Sequence, residues 1–190
     1  MPAPSAATRP AWWPVAGVAA GTVALLLATA NRYGYGVDEL YFRMLGERGP
    51  EWGYFDQPPL VPSLVRTSAE LFGDSPTGIR VPAALCAAAV IVLGALICAE
   101  LGGGRRAQTL TALGLGTSFL VLTIGHLMVT NTVDTVVWCT VPVRAACAAQ
   151  ARRRLVAVGR RGGRDRAVRQ VCCSAAAGVA VGGSGAGGAA

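Results

Sequence analysis

The chain contains no lysine, few charged residues and a single histidine. All 17 basic residues are arginine, and charged residues make up 14% of the 190, against about 25% in a typical soluble domain. The six cysteines include no CxxC pair, which argues against a zinc site or a disulfide framework and favours buried free thiols. Without lysine, the Gly102–Gly104 triplet lacks the Lys-Ser/Thr of a phosphate-binding loop and is interpreted as an interhelical turn.

The chain is rich in apolar sequence. Hydrophobic residues make up 53% of it and the mean hydropathy is +0.47, which favours a membrane protein. The net charge of +7 lies entirely in residues 151–190, while residues 1–150 are neutral. A nucleic-acid binder needs a basic body with stacking aromatics, so nucleic acid is excluded as a partner. The arginine, glycine and alanine usage indicates a bacterium with a GC-rich genome.

Uncharged runs predict three membrane-spanning helices, at about 12–31, 81–99 and 107–129, because about 20 apolar residues cross a bilayer. A fourth apolar run begins at residue 135 and fails after Val143. The predicted fold is therefore an all-α integral membrane protein with three transmembrane helices and a partial fourth, within a membrane domain at residues 12–140.

The basic turn at Arg105–Arg106 predicts the orientation in the membrane. Basic turns stay in the cytoplasm, so residues 1–11 are expected there too, and the polar loop 32–80 is expected on the outer face of the plasma membrane. An alternative for the first run is a signal peptide cleaved after Ala28-Thr29-Ala30. The run is longer than a typical signal core, which favours an uncleaved span.

The loop 32–80 contains two amphipathic patterns. Tyr41, Met44, Leu45 and Arg48 have helical spacing, and a second set of residues, between Leu60 and Phe72, has it too. The members of the second set are Leu60, Leu64, Val65, Ser68, Leu71 and Phe72. Both helices are expected to lie in the membrane interface.

Residues 141–190 differ from the rest, because they contain no Phe, Trp or Tyr and carry clustered arginines. This low-complexity tail is predicted to be disordered. One hypothesis is that the chain leaves its reading frame near Val141, since a shifted frame can encode the rest of a fourth span. The alternative is a genuine basic tail, and the nucleotide sequence decides between them.

Two acidic segments of the outer loop carry candidate chemistry. A carboxylate at Asp38 or Glu39 can serve as a general base; alternatively, Asp38 caps a helix that begins at Glu39. Asp56 and Gln57 precede two prolines, which stiffen the backbone and position polar side chains for a sugar or phosphate.

Other polar residues lie at the predicted membrane boundaries. His126, Asn131 and Asp134 cluster near the outer end of the third span, where polar groups are costly and often functional. Arg66 and Arg80 can meet a lipid phosphate, or can anchor the spans at the headgroups.

Several segments resemble the ArnT-like and protein O-mannosyltransferase-like membrane glycosyltransferases, of glycosyltransferase family 39 and the GT-C fold. The resemblance covers roughly residues 15–140 and rests on the order and spacing of its motifs. These are Val37-Asp38-Glu39-Leu40-Tyr41, Trp52 through Leu60, Leu71-Phe72-Gly73-Asp74-Ser75, Ile79 through Ala83, Ala99 through Gly103, and Gly125-His126-Leu127 with Thr130, Asn131 and Asp134.

The resemblance implies an enzyme that takes a sugar from a polyprenyl-phosphate carrier and passes it to an acceptor glycan, lipid or protein. It implies that Asp38 is the catalytic base and that Glu39 orients the site. Tyr54, Asp56 and Gln57 would line the site, and arginines would neutralise the leaving phosphate. Participation of a divalent metal is left open.

Members of that family have many more spans than this sequence predicts. We therefore expect the chain to be a truncated, amino-terminal part that is inactive alone. The competing interpretation is a small membrane scaffold or transporter subunit, in which the same motifs merely shape a loop.

Overall fold

The computed structural model describes residues 8–32, 34–49, 54 and 56–158, with 152–158 as backbone alone. Within these ranges every regular element is helical, which confirms the predicted all-α class. The elements are α1 (Trp12–Thr29), a 3-10 turn (Ala30–Arg32), α2 (Val37–Glu47), α3 (Leu60–Phe72), α4 (Pro76–Glu100), α5 (Arg105–Gly116), α6 (Phe119–His126) and α7 (Thr130–Val158). Trp52 and Phe55 of the family motifs and residues 159–190 of the predicted tail lie outside the described residues.

Helix α4 is the centre of the bundle and contacts α1, α3, α5, α6 and α7. It begins where Ser75 caps it, since the Ser75 hydroxyl accepts a hydrogen bond from the Gly78 N–H at 3.1 Å and Pro76 fits the first helical position. Buried small and branched residues along it form the main core with α1, α6 and α7. Its twenty-five residues are enough to cross a bilayer.

Two single helices meet the length and composition of a membrane span: α1 with its 3-10 turn, and α4. The predicted third span, 107–129, is not one straight helix. It is divided into α5 and α6, which are bent by 56° at Thr117–Ser118. There the Ser118 N–H donates to the Leu115 carbonyl, three residues earlier, at 3.0 Å, the tighter bond that is frequent where an α-helix ends. Counted as one, the pair gives up to three spans.

Helix α7 corrects the expectation that the chain is disordered from residue 141. The helix continues to Val158, through Pro142, although it is not among the candidate spans by composition. It packs against α4, and the side chain of Gln150 donates to the Glu100 carbonyl at the end of α4 at 3.2 Å. Residues 141–158 are therefore helical rather than irregular.

The two helices predicted in the loop 32–80 are confirmed as α2 and α3, and their apolar residues are divided between helix contacts and the exposed surface. Met44 is 57% exposed and Leu71 71% exposed, which the predicted interfacial location of both helices allows. The buried face of α2 instead carries Glu39, Phe42 and Leu45. Because α3 packs against both α2 and α4, contact between helices decides which residues are buried.

A proline in α4 explains the one buried hydroxyl of α3. Pro82 has no N–H, so the Gly78 carbonyl four residues earlier loses its helical partner. The Ser68 hydroxyl, buried on α3, donates to that carbonyl at 2.6 Å. Ser68 therefore fastens α3 to the break in the α4 ladder.

At the opposite end of α4, Gln108 is 1% exposed and holds the start of α1. Its carbonyl accepts from the Ala11 N–H at 2.6 Å, and its amide donates to the Thr8 hydroxyl and the Gly103 carbonyl, both at 2.9 Å. Arg105 and Arg106 lie at this end, so the bundle separates them from Asp38.

Candidate active site

A buried ion pair between Glu39 of α2 and Arg80 of α4 organises the end of the bundle. The Arg80 Nε donates to Glu39 Oε1 at 2.9 Å and Nη2 donates to Oε2 at 2.7 Å. The two residues are 0% and 2% exposed. Such a two-pronged contact fixes orientation as well as distance.

Four backbone groups complete this cluster. The Gly36 and Met128 N–H groups donate to the Glu39 carboxylate at 2.9 and 3.1 Å. Arg80 donates to the Ala30 carbonyl and, at 2.8 Å, to the Gly34 carbonyl. The cluster thus joins the 3-10 turn after α1, the start of α2, helix α4 and the α6–α7 junction.

The environment of Glu39 favours its ionised form. Burial alone would raise the pKa of this carboxyl group. Hydrogen bonds from Arg80, Gly36 and Met128 outweigh it and hold the pKa below its ordinary value. Glu39 is therefore a fixed anion that is fully occupied by its partners.

Asp38 has the opposite environment. Helix α2 begins at Val37 with Gly36 as its N-cap, so the alternative that Asp38 caps a helix starting at Glu39 is wrong. Asp38 lies inside the first turn and is exposed. A carboxylate in the first turn is favoured by the free N–H groups there, and its neighbour Glu39 fixes the backbone that carries it.

The segment before the two prolines is tied to helices on both sides. The Tyr41 hydroxyl donates to the Asp56 carboxylate, and the Thr130 hydroxyl donates to Gln57 Oε1 at 3.1 Å. The hydrogen bond to Asp56 is the main cause of a raised pKa at Tyr41. Tyr41 follows Asp38 by three residues and so shares its side of α2, which brings Asp56 and Gln57 to the Asp38 flank.

The Tyr54 hydroxyl is engaged by backbone. It donates to the Gly49 carbonyl at 2.7 Å and lies 3.1 Å from the Leu45 carbonyl. Tyr54 therefore supports the loop rather than presenting its hydroxyl to a ligand.

The three polar residues predicted near the third span lie at the same end of the bundle. His126 ends α6, half-buried, with its Nε2 at 3.3 Å from the Thr29 hydroxyl. Asn131 and Asp134 are exposed in the first turns of α7, next to Thr130.

The two arginines predicted to meet a phosphate have different positions. Arg80 is enclosed by the cluster around Glu39, which does not support direct contact with a phosphate. Arg66 is largely exposed and pairs with Glu70 at 2.8 Å. It lines a groove of about 360 Å³ between α2 and α3, together with Arg43 and Asp74. At 100° per residue, Arg43 projects from a different side of α2 than Asp38.

The model of the dolichyl-phosphate-mannose-protein mannosyltransferase family matches residues 56–163, more than half of the chain. The chain belongs to this family. No curated protein and no solved structure matches it significantly. The family membership confirms the predicted resemblance and, with the apolar helices, identifies a multi-pass membrane protein of the GT-C type.

The family match covers some of the candidate residues of this mannosyltransferase-family protein and not others. It includes Asp56, Gln57, Arg66, Arg80, His126, Asn131 and Asp134, and it begins after Asp38 and Glu39. The catalytic roles of those two carboxylates therefore stay predictions. In the described part of the chain, no group of three or more His, Cys, Asp or Glu side chains is arranged to hold a metal ion.

The sequence analysis assigned no site role to three groups at the candidate site: Tyr41, Thr130 and the Met128 N–H. The role of Tyr41 could have been predicted from the sequence, because Tyr41 lies one helical turn from Asp38. The role of the Met128 N–H could not have been predicted, since every residue except proline has a backbone N–H. The pairing of Glu39 with Arg80 was also missed, because the two are separated by most of the loop 32–80, including α3.

Proposed function

We propose that this protein transfers a sugar from a polyprenyl-phosphate carrier to an acceptor hydroxyl, with Asp38 as the general base. The family's description indicates mannose as the sugar. The observation that carries the proposal at residue level is the contrast between exposed Asp38 and enclosed Glu39. A rigidly mounted, accessible carboxylate is what a general base requires.

The proposed step is a displacement at the anomeric carbon. The acceptor oxygen forms a bond to that carbon as the bond to the carrier phosphate breaks. Asp38 takes the proton of the acceptor hydroxyl, and the bonding electrons leave with the phosphate. Glu39 acts through position, because its carboxylate has no free lone pair directed at substrate once its four donors are bound.

We further propose that Asp38 faces the outer side of the plasma membrane. Support comes from Arg105 and Arg106, which lie at the other end of the bundle and belong in the cytoplasm by the positive-inside rule. The carrier-linked sugar and the acceptor would then meet outside the cell.

The test uses the full chain in nanodiscs with polyprenyl phosphate-mannose labelled in the sugar. Binding of this donor is measured first, and release of polyprenyl phosphate in the presence of a hydroxyl acceptor is measured second. Asp38→Asn keeps the shape of the side chain and removes the base. We expect donor binding in both forms, and any turnover of the natural chain to be lost in Asp38→Asn.

Arg43→Gln, in the groove between α2 and α3, is the matched control and should behave as the natural chain. Donor binding without turnover agrees with the expectation that the chain is inactive alone. Absence of donor binding contradicts the proposed function, and turnover that survives Asp38→Asn contradicts the assignment of the base.

A further inference from the structure

Gln57 is held unusually firmly for a residue in a loop. The Gln57 carbonyl accepts from the Tyr54 N–H at 3.2 Å, and the following Pro58 restricts its backbone to extended conformations. Its side-chain oxygen accepts from the Thr130 hydroxyl at 3.1 Å. Backbone and side chain are thus fixed by separate partners.

In this arrangement the Gln57 side chain can still donate hydrogen bonds to a ligand. A glutamine amide has an oxygen that accepts and a nitrogen that donates two hydrogen bonds. Because Thr130 engages the oxygen, the NH₂ group is turned to the opposite edge of the amide. Gln57 is half-buried, and its neighbour Asp56 is bound by Tyr41, which lies one helical turn from Asp38.

We propose that Thr130 is a positioning residue, which turns the Gln57 amide so that its NH₂ donates to an oxygen of the carrier-linked sugar donor. The oxygen belongs either to the carrier phosphate or to a sugar hydroxyl, and both accept from an N–H. The inference rests on the proposed function and names how the same site recognises its donor. Without the Thr130 hydroxyl the amide rotates freely, and its favourable orientation is lost.

The experiment measures the Kd of the full chain in nanodiscs for two probes, polyprenyl phosphate-mannose and polyprenyl phosphate without sugar. Thr130→Val removes the hydroxyl and keeps the shape, and we expect its Kd for the mannosylated probe to rise about three- to tenfold, the effect of one hydrogen bond. Thr130→Ser restores the hydroxyl and should stay within about twofold of the natural chain.

Thr135→Val is the matched control on the same helix, because the Thr135 hydroxyl donates only to its own helix, at 2.7 Å to the Asn131 carbonyl. It should leave the Kd unchanged. Equal losses for both probes place the amide on the phosphate, and a loss confined to the mannosylated probe places it on the sugar.

The outcomes separate two failures. If the natural chain binds the donor and Thr130→Val binds it equally well, the positioning role is wrong while the proposed function stands. The positioning role is also wrong if Thr130→Ser fails to restore binding or if Thr135→Val weakens binding as much as Thr130→Val does. If the natural chain binds neither probe, the proposed function fails and the role of Thr130 fails with it.

Discussion

Asp38 and Glu39 are adjacent in the chain but lie in opposite environments. Glu39 is enclosed and neutralised by Arg80, whereas Asp38 is exposed one position earlier on the same helical turn. A buried pair of this kind stabilises little in net terms when intact, but removing one partner leaves a charge without compensation. The sequence pattern Asp-Glu indicated chemistry, and the structure divides it between an accessible carboxylate and a fixed one.

Stability should depend on pH through Glu39. Its pKa is lowered in the folded protein, so its stabilising effect is complete above the ordinary carboxyl pKa, near 4.5, and is lost as the pH falls through the lower folded pKa. We expect Glu39→Gln to reduce the free energy of unfolding by about 3–5 kcal/mol at pH 7 and to flatten its dependence on pH below 4.5. Unfolding in detergent across pH 3–7 measures both. An unchanged pH profile in Glu39→Gln would show that another group titrates.

At the scale of elements, the helices could be located from the sequence better than their contacts could. Uncharged runs located α1 and α4, and spacing located α2 and α3. Spacing could not show that Met44 faces outward, since burial depends on where α3 and α4 pack. The bend at Thr117–Ser118 and the extension of α7 were missed because helix breaks and continuations are decided by local hydrogen bonds and neighbours, not by hydropathy.

The contact between α3 and α4 gives a prediction at this scale. Ser68→Ala leaves the Gly78 carbonyl without a partner and should destabilise the fold by about 1–3 kcal/mol. In a Pro82→Ala background the backbone N–H returns, so the same substitution should cost much less. A double-mutant cycle on the free energy of unfolding measures this coupling. Equal costs in both backgrounds would contradict this role of Ser68, and Ser63→Ala, whose hydroxyl serves its own helix, is the control.

For the whole molecule, the sequence established the family and the two ends of the bundle, but not the cluster that links them. The residues of that cluster are drawn from positions 30 to 128, and no local pattern brings them together. The family match extends to residue 163, past Val141, and gives no support to a change of reading frame there. The nucleotide sequence remains the test of that hypothesis.

The orientation in the membrane gives the prediction at this scale. Val37 is 85% exposed beside Asp38, and Arg106 is exposed at the other end. With the native cysteines replaced by alanine, Val37→Cys should react with a membrane-impermeant maleimide in intact cells. Arg106→Cys should react only after permeabilisation, because basic turns stay inside. The reverse pattern would overturn the proposed outer location of the site.

The Glu39–Arg80 cluster also sets an order of assembly during synthesis. Glu39, Gly36 and Arg80 can meet as soon as α4 has left the ribosome and entered the membrane. The donor at Met128 follows α5 and α6 in the chain and is therefore synthesised after them. A nascent chain that ends at α4 therefore lacks one of the four donors to the Glu39 carboxylate. The α6–α7 junction supplies this last donor and completes the cluster beside Asp38.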